Sequence, residues 1–217
     1  MRKHDYSTEL ATHICNVLDA YKWHYEFDAE GGTFYFCFAV HSKLESANIL
    51  LNVQRSQYVL YAILPLAVPT EDPRIMQRMC EFTVCANYGL SLGNFEMDVR
   101  DGELRYHTYV DCDGGQFPTD RVIRNSVNVA VQMLERYTDA ILEILYGNSP
   151  RPVADIVRDC EHRAERRFSR QLLAHLSAMG DQVPEDLRQM IEEVCDELPQ
   201  EDEDCEAEDD FDEDPED

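Results

Sequence analysis

The chain has 217 residues, 44% of them apolar, which is enough for one good-sized domain with an appendage and a real core. Nineteen Lys and Arg stand against 44 Asp and Glu, a net charge of -25, which argues against a basic patch for bare nucleic acid or an anionic membrane surface. The charge is uneven: Arg188 is the last basic residue and 17 acidic residues follow it, leaving 27 acidic against 19 basic, or -8, in the first 188 residues.

Met1 to Leu10 carries charge and no apolar h-region, so no secretory leader is expected. The longest near-apolar run, Tyr58 to Val68, is broken by Pro65 and is too short to span a bilayer. Cysteines at 15, 37, 80, 85, 112, 160, 195 and 205 show no compact framework, and the reading is free thiols in a reducing cytoplasm.

Ser7 can cap a first helix whose apolar positions Leu10, Ile14, Val17, Leu18 and Tyr21 recur at helical spacing. The period then changes. His24 to Asp28 alternates, Glu30-Gly31-Gly32 supplies a tight turn, and Phe34, Phe36, Phe38 and Val40 mark the returning strand of a hairpin. Ile49, Leu51 and Val53 mark a third strand, and Gln57 to Leu66 a fourth that ends at the breakers Pro65 and Pro69.

Asp72-Pro73 predicts an N-cap with proline in the first turn of a second helix, lined by Ile75, Met79, Phe82 and Ala86 and stopped at Gly89. Asn94 to Arg100 alternates, Asp101-Gly102 predicts a two-residue hairpin turn, and Leu104, Tyr106, Thr108 and Val110 return. Thr119 caps a long helix through Leu145, closed by Gly147. This order, α-ββββ-α-ββ-α, predicts an α+β domain over 1–150, an antiparallel sheet packed with helices. A C-terminal helical extension over 151–198 follows, with apolar stripes on Val153 to Met179 and on Val183 to Leu198. The acidic tail, 199–217, has too little apolar surface to offset its ordering entropy and is expected to be disordered.

No catalytic, cofactor or metal site is expected. Cys80 and Cys85 are five apart on a helix and point away from each other, and no CxxC pair exists. Asp111-Cys112-Asp113-Gly114 lacks the glycine and glutamate of a calcium loop. Thiol and imidazole two apart, at His13/Cys15 and Cys160/His162, face different sides of a helix. Gly31-Gly32 and Gly114-Gly115 lack phosphate-cradle spacing. His24, His41 and His107 on strands leave open an alternative, a small-molecule-binding protein or enzyme using the sheet face.

What remains is surface. Opposite the expected core face, strands two and four carry Tyr35, Cys37 and Ala39, and Val59, Tyr61 and Ile63, which are too apolar for a face left in water. On the last hairpin the same face reads Arg105, His107 and Tyr109. Tyr35, Val59, Tyr61, Ile63 and Tyr109 are therefore the expected partner-binding residues. The C-terminal helices, a second copy of the domain or a partner segment would cover them.

The stretch Cys80 to Pro150 carries Asn87-Tyr88-Gly89-Leu90-Ser91-Leu92-Gly93-Asn94-Phe95-Glu96-Met97-Asp98, then Asp101-Gly102-Glu103-Leu104-Arg105-Tyr106, then Tyr137, Ile141 and Gly147-Asn148-Ser149-Pro150. With Pro69 and Pro73-Arg74 before it, this resembles the YbjN family of bacterial proteins over roughly residues 57 to 150, more weakly over the first fifty and not after Pro152. The resemblance implies a cytoplasmic domain similar in fold to type III secretion chaperones, described as a sensory-transduction regulator and without assigned enzymatic activity. It also implies a dimer that presents surface to a protein partner. The motif residues look structural, so no functional residue is carried over. The expectation is a non-catalytic interaction module, chaperone-like or regulatory, with no cofactor.

Overall fold

The Ser7 hydroxyl accepts from the Leu10 N–H at 3.2 Å and starts α1 (Thr8–Ala20), whose Leu10, Ile14, Val17 and Leu18 are buried. The computed structural model describes residues 5–40, 42–113, 117–178 and 189. The predicted Val183–Leu198 helix, the acidic tail and His41 lie outside the described residues. The other elements are β1 (Glu26–Asp28), β2 (Thr33–Ala39), β3 (Ser46–Val53), β4 (Gln57–Ala67), α2 (Pro73–Tyr88), β5 (Asn94–Met97), β6 (Glu103–Asp111), α3 (Asp120–Tyr146) and α4 (Val153–Ala178). The strands form one antiparallel sheet in the order β1-β2-β3-β4-β6-β5. The α+β class and the element order are as the periodicities predict.

Three boundaries differ from the sequence reading. The first strand begins at Glu26 and not His24, because the end of α1 holds the chain back: Lys22 is left-handed (φ 55°), Trp23 N–H bonds to Leu18 O, and the Trp23 ring packs on Phe36 and Phe38. The fourth strand runs through Pro65 to Ala67. A register shift between Ile63 and Ala67 places the exposed proline where the ladder is already interrupted, the position a strand tolerates it.

The last hairpin does not turn on Asp101-Gly102 alone. β5 stops at Met97, the Asp98 carboxylate accepts from the Arg100 N–H at 2.9 Å, and Gly102 N–H closes on Asp98 O at 2.8 Å, giving a five-residue connection, 98–102, before β6. Gly102 sits at φ 80°, and a Cβ there would run into the Val68 backbone, whose N–H bonds to Gly102 O at 2.9 Å. The glycine thus serves both the loop and the tie to the end of β4.

One face of the sheet is the core. Phe34, Phe36, Ile49, Leu51, Val53, Tyr58, Leu60, Ala62, Leu104 and Tyr106 point to it, and α2 and α3 pack against it. Asp72 caps α2 as predicted, accepting from Arg74 and Ile75 N–H, and Thr119 caps α3. Phe82 of α2, Tyr137 of α3, and Phe95 and Tyr106 of the last hairpin meet edge to face with centroids 5.4–5.9 Å apart. Burial pushes the Tyr106 phenol up to about 12, and its hydroxyl donates to Leu92 O.

The chain divides into two compact units, Met1–Glu161 and His162–Asp217. In the first, Val153, Ile156, Val157 and Cys160 join the hydrophobic core. Tyr137 donates to Glu161 at 3.0 Å and Arg78 to Arg151 O at 3.1 Å, so this part of the chain is fastened to α3 and α2. It lies on the helical side of the sheet, not on the opposite face. In the second unit residues 162–178 continue the helix to Ala178, with Phe168 exposed.

Candidate functional site

The face of the sheet away from α2 and α3 can be read row by row from the register. One row runs Thr33, Asn52, Val59, Tyr109; the next Glu26, Tyr35, Leu50, Tyr61, His107, Asn94; the third Cys37, Asn48, Ile63, Arg105, Glu96. The five expected partner residues therefore share one face. Tyr35 is 46% exposed and Tyr109 61%, Tyr61 and Ile63 are half-buried, and Val59 is only 5% exposed. Val59 thus offers almost no surface, an outcome that alternation alone did not show. Leu50 and Asn48 belong to the face but were missed. The signal was present, since inward Ile49 and Leu51 turn their neighbours outward.

The face has two halves of different character. Over β4, β6 and β5 the polar groups pair with one another, His107 Nδ1 excepted. The Arg105 guanidinium lies 4.2 Å above the Tyr61 ring, and His107 stacks on the same ring at 5.1 Å and 20°. Arg105 donates to Glu96 Oε2 through Nε at 3.0 Å and Nη2 at 2.9 Å, and to Glu103 at 3.2 Å. Asn94 Nδ2 donates to Glu96 at 3.3 Å. His107 Nδ1 lies 2.9 Å from Glu96 Oε1 without the angle of a hydrogen bond. Burial would raise the Glu96 carboxyl, but the Arg105 and Asn94 hydrogen bonds and the nearby cations hold it below the usual carboxylate value.

Over β1 to β4 the face is a shallow open depression of about 550 Å³ that includes Tyr35, Leu50 and Ile63, with His24, Cys37 and Asn48 among its polar edges. Tyr61, held beside it by the Arg105 guanidinium and the His107 ring, is a ring already fixed in one orientation, which lowers the entropy cost of contact. This arrangement fits an interaction surface. His24 and His107 do not share a site: β2, β3 and β4 separate Glu26 from His107 by about 19 Å at 4.8 Å per strand, and His24 lies two residues before Glu26, outside β1. Among the described residues no group of three or more His, Cys, Asp or Glu is placed to hold a metal ion.

The two edges of the sheet also differ. At β5, Phe95 N–H donates to Asn87 Oδ1 at 2.7 Å and Asn87 Nδ2 donates to Phe95 O at 3.0 Å, so a carboxamide from α2 occupies the outward backbone groups of this edge strand. At the other edge, β1 covers β2 only from Thr33 to Tyr35.

A six-stranded antiparallel sheet with helices against one face defines the architecture. The YbjN family model, described as "Putative bacterial sensory transduction regulator", matches residues 11–143, and the chain belongs to this family. Among curated proteins none matches the chain. The family description supports a regulatory or interaction role in general terms. No described helix is long and apolar enough to cross a membrane.

Proposed function

We propose that this chain is a non-catalytic, chaperone-like or regulatory module of the bacterial cytoplasm that binds a protein partner on the open face of its sheet. The observation that carries this reading is the aromatic and apolar row Tyr35, Leu50, Tyr61, flanked by Ile63, on a face opposite the helices that pack on the sheet. An interface centre of this kind, with Tyr61 held in place and Arg105 paired with Glu96 at its rim, draws its affinity from a few desolvated anchors.

The test is the double variant Tyr61→Glu, Ile63→Glu, compared with the parent chain in pull-downs from the native cell. Circular dichroism checks that the variant is folded. Charges set in an apolar contact should abolish the partner common to repeated parent captures. The proposal fails if the folded variant retains every partner while His24→Ala or His107→Ala removes a measurable turnover.

A further inference from the structure

We propose that the segment bound on the open face is an amphipathic helix of a partner protein, apolar along its middle and carrying Lys or Arg at both ends. This rests on the reading of that face as the binding face and adds the chemistry of what binds there. The charges of the face are laid out in a pattern. By the register, the outward positions of β2, β3 and β4 hold no charged residue. The charges stand on the two flanks: Glu26 and Asp28 on β1, and Glu96, Glu103 and Asp111 against Arg105 alone on β5 and β6. Histidines aside, each flank therefore carries a net -2, two carboxylates on one side and three carboxylates less one guanidinium on the other.

These charges are held where a ligand can meet them. Glu26, Asp28 and Asp111 are exposed. Asp28 accepts from Glu30 N–H at 2.9 Å and Asp111 from Asp113 N–H at 2.8 Å, so each carboxylate is fixed at the end of its strand. Glu96 stays ionised, because Arg105 and Asn94 hold it below the usual carboxylate value. Between the flanks, Tyr35, Leu50, Tyr61 and Ile63 supply an apolar centre. An acidic segment would be repelled at both of its ends, whereas cations set on both flanks are drawn in and fix its position.

The backbone of the face decides the form of the segment. β3 and β4 are paired on both sides, so the floor of the face offers no backbone partner to a segment lying on it. An extended segment would bury its own N–H and C=O groups unpaired, whereas a helix satisfies them internally. β1 and β6 are four strand spacings apart, about 19 Å, which an α-helix covers in about 13 residues. Its apolar stripe at i, i+3 or i+4, and i+7 then meets the row Tyr35, Leu50 and Tyr61, and cations near its two ends meet the two flanks.

The probe is a labelled synthetic helical peptide of about 17 residues with a leucine stripe and two lysines at each end, used beside the same peptide with glutamate in place of lysine. Titrated with the full chain and read by fluorescence anisotropy, the lysine peptide should bind about tenfold or more tighter than the glutamate peptide and weaken as salt rises. Glu26→Lys and Asp111→Lys, one on each flank, should each lower its affinity about threefold and together about tenfold, with circular dichroism checking the fold. The pair Glu71→Lys, Glu81→Lys, exposed just before and within α2, changes the net charge equally and should leave the affinity within about twofold. The proposal is overturned if neither peptide binds, if the two bind alike, if the Glu71 and Glu81 pair weakens binding as much as the flank pair, or if either flank substitution is without effect. In each case the face itself still stands as the binding face if Tyr61→Glu, Ile63→Glu removes the captured partner, and falls with the proposal if that variant keeps it.

Discussion

Replacing Asn87 by alanine removes both hydrogen bonds to the Phe95 backbone at once. Phe95 is 2% exposed, so its N–H is left buried without a partner, while its C=O keeps only a long 3.5 Å contact from Asn94. An orphaned buried group costs about 1–3 kcal/mol, and the carbonyl loses a normal bond worth about 1, so the domain should lose about 2–4 kcal/mol. Asn87→Asp separates the two parts: it keeps an acceptor for the N–H but turns an acceptor toward the carbonyl, so it should recover part of the loss. Urea unfolding reads both variants, with an unchanged slope showing that only stability moved. If Asn87→Ala unfolds within about 0.5 kcal/mol of the parent chain, water replaces the carboxamide at no cost and its assigned role at the edge is wrong.

Glu96→Gln should cost about 1 kcal/mol at neutral pH, since the pair with Arg105 is about a third exposed and solvent screens it. Because the folded-state carboxyl lies below its ordinary 4.5, this contribution is full above that pH and declines as pH falls through the folded value; melting curves of both chains from pH 7 to 3 should converge in acid. Gly102→Ala forces a side chain into left-handed backbone against Val68 and should destabilise by about 2–4 kcal/mol, measured by the same urea titration.

Much of the fold was legible because local rules agreed with tertiary ones. Ser7, Asp72 and Thr119 cap the helices predicted for them, and the period-two runs from Phe34 to Val53 lie in one meander with the predicted faces inward. The misses are places where a distant contact decides. Trp23 is drawn onto Phe36 and Phe38, which shortens β1, and Gly102 answers to Val68 as well as to its own loop. In the candidate site, alternation placed Tyr35, Tyr61, Ile63 and Tyr109 on one face, but it carried no strand order. The Arg105–Tyr61–His107 stack depends on β4 lying beside β6, and the Asn87 contact on α2 lying beside β5, so neither could be read from spacing.

The strand order also sets when the face exists at all. β1 through β4 pair with their neighbours in sequence, so that meander can close as each strand is made. The β4–β6 seam is different: Tyr58 meets Val110 and Ile63 meets Arg105 across the whole of α2 and β5, a loop of roughly 40 residues whose closure entropy must be met before the contacts reward it. Arg105 and His107, which hold Tyr61, both come from the far side of that seam. A chain synthesised only through α2 therefore lacks the groups that hold Tyr61, and recognition by the whole face has to wait until β6 has emerged and docked.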